Sequence, residues 1–148
     1  MIDIEVKHII STVIGMIGGA IASLYGGWTS AMTTLLIFMI IDYFTGLVVA
    51  GVFKKSDKSE TGALESRAGF KGICRKCMIL LMLLVACRLD IALNTTYIKD
   101  AVCIAFIANE TISIVENAGL MGIPIPKAIM KAIDILNSKE DETNDKRN

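Results

Sequence analysis

Residues 31–53, AMTTLLIFMIIDYFTGLVVAGVF, decide the fold. As a helix this stretch rises roughly 35 Å, enough to cross a hydrocarbon core of about 30 Å. Its one charge, Asp42, falls close to the middle. Gly46 and Ala50 follow at helical spacing on the same face, so a second helix can approach there. A soluble core helix alternates its apolar residues with polar ones, whereas this run is apolar all round. Across the chain of 148 residues, 53% are hydrophobic. The mean hydropathy of +0.59 places the whole chain, and not one helix, in the membrane class.

Upstream, residues 9–25 form a second apolar run just long enough to span. Ser11, Gly15, Gly19 and Ser23 recur every fourth residue, with Gly18, Ala22 and Gly26 in a row beside them. Such a small-residue face lets two helix backbones pack closely in lipid. The alternative is a Gly-rich segment lying on the membrane surface, because glycine lowers helix propensity. Asp3 and Glu5 beside Lys7 do not make a signal-peptide start, so the run is expected to be retained. Gly26-Gly27-Trp28 reads as a short uncharged turn. Tyr25 and Trp28 suit the interface, and Thr29 or Ser30 suits a helix cap.

Downstream, residues 54–76 are polar and mostly basic. A third run is continuous from Cys77 to Cys87 and then meets Arg88 and Asp90, for a span of approximately 74–93. Asn94-Thr95-Thr96 makes a turn, and a fourth run covers 97–118. Gly119 and Gly122 stop it, Pro124 and Pro126 make a rigid joint, and Ile125, Ile129, Ala132, Ile133 and Leu136 form an apolar stripe opposite Lys127, Lys131 and Asp134. The expectation is an all-α integral membrane protein. Its bundle occupies residues 1–122, with about four transmembrane helices, or three if the first run lies on the surface. An amphipathic cytoplasmic helix follows at 123–137, and a disordered charged tail at 138–148. Lys and Arg concentrate in the 54–76 loop and beyond residue 126, which predicts that both are cytoplasmic.

The formal net charge is zero, which argues against nucleic acid as a partner. Cys74 and Cys77 form a CxxC, but no second pair or His pair completes a zinc site. The four cysteines read as small apolar residues, and His8 as an interfacial one. No Ser/His/Asp set or phosphate loop can be assembled, so neither an enzyme nor a cofactor or metal site is expected.

Function must then rest on polar groups inside the spans. An ionisable group at a span centre costs about 2.5–3.5 kcal/mol on insertion scales. The candidates are Asp42, Arg88, Asn109, Glu110, Ser113, Glu116 and Asn117. Arg88 paired with a carboxylate would only hold a bundle together, and Arg88 and Asp90 could also reach out to the outer interface. On the fourth run, Asn109, Ser113 and Glu116 share a face flanked by Glu110 and Asn117. That stripe favours an oligomer surrounding a common lumen. A small secondary transporter, with Asp42 and Glu110 binding protons or cations, is the competing reading. A non-pore accessory subunit is a third.

Ile41-Asp42-Tyr43-Phe44-Thr45-Gly46, Gly69-Phe70-Lys71-Gly72 with Arg75-Lys76, and Ala108-Asn109-Glu110 through Gly122-Ile123-Pro124-Ile125-Pro126 resemble, in order, three elements of the toxin-secretion/phage-lysis holin family. The resemblance runs from about Trp28 to Leu136. It implies a phage or prophage protein of the host bacterial cytoplasmic membrane, multi-pass with a cytoplasmic C-terminus. Such a protein associates with itself as a homo-oligomer in the lipid bilayer. The resulting pore or lesion releases an endolysin or a toxin, without necessary direct contact, and so lyses the host cell.

Overall fold

A computed structural model describes residues 2–56 and 65–135 of the chain, with side chains from residue 5. Every regular element among the described residues is helical. Helix α1 is Ile2–Leu24, α2 is Ser30–Val48, α3 is Ser66–Leu93 and α4 is Ile98–Leu120. A π-helical turn, Val49–Phe53, prolongs α2. A short helix α5 covers 127–135, directly after Pro126. The expected charged tail and residues 57–64 of the basic loop lie outside the described residues.

Local chemistry sets the boundaries. Gly26 and Gly27 take φ of +68° and +103°, which side-chain-bearing residues rarely adopt, and so turn α1 into α2. Of the two candidate caps, Thr29 acts: its Oγ1 accepts from the Met32 amide at 3.3 Å. Asn94 closes α3 in the left-handed region at φ 53°. Asp90 does not reach for the outer interface. It is buried and organises the α3–α4 turn, accepting from Thr95 Oγ1 at 2.7 Å and from the Ile98 and Lys99 amides at 3.1 and 2.8 Å. Its charge thereby meets the positive end of α4.

Helix α4 is the centre of the bundle. It packs most extensively on α2 and next on α3, while α2 and α3 touch less. The core joins Met32, Leu35 and Met39 of α2 to Ile79, Leu83 and Cys87 of α3 and Cys103 of α4. Cys74 and Cys77, by contrast, are exposed free thiols. Helix α1 stands outside this core, with Ile9, Ile14 and Met16 exposed. It is tied in at its end, where the Tyr25 hydroxyl donates to the Leu80 carbonyl at 3.0 Å.

Among the described residues, two helices are long and apolar enough to cross a membrane, Glu5–Leu24 and Ser30–Phe53. Helices α3 and α4 are also long, at 28 and 23 residues. Their polar residues keep composition alone from marking them as spans. Helix α3 starts at Ser66, well before the expected third span. The reason is that Ser66–Lys76 needs no apolar surroundings to be helical, and the extension carries Lys76 into the bundle.

Candidate functional site

Three helices each bring one charged group to the same level. Lys76 of α3 places its Nζ 2.9 Å from Asp42 Oδ2 on α2 and 2.5 Å from Glu110 Oε2 on α4. The three side chains are 16%, 10% and 4% exposed, so the pairs are largely shielded from water. Asn117, one heptad beyond Glu110, donates from Nδ2 to Asp42 Oδ1 at 3.1 Å and to Thr45 Oγ1 at 2.9 Å. The Thr45 hydroxyl in turn donates to the Asp42 carbonyl at 3.1 Å. Two carboxylates thus share one ammonium, with an amide and a hydroxyl fixing the orientation of Asp42. In a low-dielectric setting such a cluster depends above all on the one ammonium that both carboxylates share.

This arrangement divides the polar residues singled out from the sequence. Asp42, Glu110 and Asn117 are buried together. Arg88 is exposed on α3 and makes no ion pair among the described residues; the cation that holds the carboxylates is Lys76. The α4 stripe splits along its length. Cys103, Glu110 and Asn117 form a buried row, whereas Asn109 and Glu116 are exposed and Ser113 is half-buried. Gly46 faces Asn117, but an added Cβ would sit 3.8 Å from Asn117 Nδ2, in ordinary contact. On α1, nothing lies within 4 Å of a Cβ built at Gly15 or Gly19. Ser11 and Ser23 lie on the same helix, and the Ser11 hydroxyl bonds the Lys7 carbonyl at 2.9 Å.

Sequence reasoning missed Lys76 and Thr45. The sequence groups Lys76 with the basic loop, although its heptad partners Leu83 and Asp90 are both buried in the bundle. That seven-residue row was the available signal.

A cavity of about 400 Å³ reaches from this cluster to the basic end of the bundle. Its deep wall is Asp42, Lys76 and Glu110; Asn109 and Ser113 line one side, and Ser56 and Glu65 lie at the loop end.

With this geometry in view, relatives place the chain. A sequence profile of the bacteriophage holin family matches residues 19–138. An uncharacterized protein of Halalkalibacterium halodurans is 41% identical over 84% of this chain and 91% of its own length. An uncharacterized 14.9 kDa protein of Clostridium perfringens is 38% identical, over 79% of this chain and 84% of its own length. A protein of Bacillus phage phi105 named as a probable holin is 30% identical over 81% of this chain and 84% of its own. No solved protein structure matches. The matched region contains α2, α3 and α4 entire, and with them the cluster of Asp42, Lys76 and Glu110. The chain belongs to the bacteriophage holin family.

Proposed function

We propose that the chain gathers in the host's cytoplasmic membrane as a four-span subunit, oligomerises, and opens a lesion through which an endolysin, or a toxin, leaves the cytoplasm. The family is non-enzymatic, so its action is physical. The observation that carries the reading is the outer face of α4. Most of the helix is buried or half-buried, yet Asn109 and Glu116 are exposed on it, Asn109 where that face borders the cavity. Lipid does not solvate such a face, whereas a second subunit or water does. Asn109, Ser113 and Glu116 are therefore assigned to the lumen. Asp42, Glu110 and Asn117 are assigned to holding each subunit together. Arg88 sits outside both sets.

Orientation follows from charge. Lys54, Lys55, Arg67, Lys71 and Arg75 gather at one end of the bundle, and Lys99 lies at the other. The basic end faces the cytoplasm in this reading, and α5 with it. The apolar, unpartnered α1 supplies the fourth span and a face for self-association.

The cavity beside the ionic cluster is also what a small transporter would need, so the two readings are separated directly. Vesicles containing the purified chain are loaded with a small dye and a protein-sized dextran. Release of both is expected, and release of the dye alone contradicts a lesion. Gly19→Leu fits the free space on α1. It should leave insertion intact while shrinking crosslinked oligomers and slowing dextran release. An unchanged oligomer size would remove α1 from the interface.

A further inference from the structure

We propose that the cavity at the basic end of the bundle is a binding site for the head group of an anionic phospholipid, with Lys71 and Arg75 holding its phosphate. The inference rests on the membrane-spanning reading above and adds a ligand to it. At about 400 Å³ the cavity is of ligand size. Its charges sort into two sets. At the deep end Asp42 and Glu110 share the one Lys76 ammonium. Lys71 and Arg75, one turn apart on α3, also line the cavity and make no ion pair among the described residues. Glu65, the remaining carboxylate on the lining, has an interaction of its own. Among the described residues the site therefore offers two cations, one helical turn apart, with which no carboxylate pairs.

The opposite wall decides between a lipid and a free phosphate. It is made by Tyr43 and Leu47 of α2 and Ala50 of the π-helical turn. The Tyr43 ring lies against Gly72, where a Cβ would come within 3.6 Å of it. A free phosphate would leave this apolar wall facing water. A phospholipid covers it with the start of an acyl chain while its head group meets Lys71 and Arg75. Basic pockets between spans on the cytoplasmic side take anionic head groups for these reasons.

The test uses the full chain, delipidated and placed in phosphatidylcholine nanodiscs doped with phosphatidylglycerol, and reads the enrichment of phosphatidylglycerol around the protein. Lys71→Gln with Arg75→Gln should reduce this enrichment about thirtyfold, the combined worth of two interfacial cations. Lys54→Gln with Lys55→Gln removes the same charge from the same end outside the cavity, and should leave most of it. Lys71→Arg with Arg75→Lys, which keeps the charges, should retain it. Equal losses from the two neutralising pairs would mean a diffuse surface field and overturn the site. Loss in the charge-preserving pair would also overturn it. Displacement of phosphatidylglycerol by millimolar inorganic phosphate would make it a phosphate site and overturn the lipid assignment. If alkaline carbonate strips the chain from membranes, the membrane-spanning reading fails, and this proposal with it. If the chain stays embedded and shows no preference for phosphatidylglycerol, the proposal alone fails.

Discussion

Lys76→Met should give a chain that is synthesised but does not accumulate in the membrane. The substitution removes the ammonium that Asp42 and Glu110 share at 2.9 and 2.5 Å and leaves two nearly buried carboxylates facing each other. Breaking a buried pair from one side costs about 3–5 kcal/mol, and here two pairs break together. That loss is a large share of the 5–15 kcal/mol or so that holds a typical domain folded. Removing the whole cluster has a different sign. Asp42→Asn, Lys76→Met and Glu110→Gln combined leave no charge in this cluster, and accumulation should return to near the parent level. Glu110→Gln alone should be tolerated, because Lys76 keeps its bond to Asp42. Immunoblots of the membrane fraction read all three. Normal accumulation of Lys76→Met would show that the cluster does not hold the subunit together.

Asn109→Leu combined with Glu116→Leu should have the opposite profile: full accumulation and no permeabilisation. Both side chains are exposed on α4 and hold no other helix in place. Removing the Glu116 charge lowers the cost of insertion by up to about 2.5–3.5 kcal/mol, so membrane levels should hold or rise. The proposed lumen, however, would lose its water-facing wall. Dye entry into induced cells is the readout, with expected loss of at least most of the signal. Entry on the parent's schedule would take these residues off the functional surface.

The two variants also mark where the sequence was legible. The apolar helix over 31–53 could be read directly from its unbroken apolar run, and the Gly26-Gly27 turn could be read because few other residues accept those backbone angles. The polar character of α4 was equally visible. Its division was not. Asn109 and Glu110 are adjacent, about 100° apart around the helix, and which of them points inward depends on how α4 rotates against α2. That rotation is set by packing of Met32, Leu35 and Met39 against partners far away in sequence. Lys76 was hidden for another reason. A lysine next to an arginine just ahead of an apolar run reads as a cytoplasmic flank, and only the start of α3 at Ser66 puts it level with Asp42. Asp90 was similarly masked by its neighbour Arg88, since a charged pair near a span end suggests the interface rather than a cap.

The central claim is a lesion wide enough for a folded enzyme. It is tested most directly by inducing the chain in a bacterium, with and without an endolysin held in the cytoplasm, and following viable count and turbidity together. The account predicts that viability falls abruptly at a set time in both cultures, and that turbidity collapses only where the endolysin is present. A culture that carries the chain in its membrane and the endolysin in its cytoplasm, yet keeps its turbidity, would contradict it.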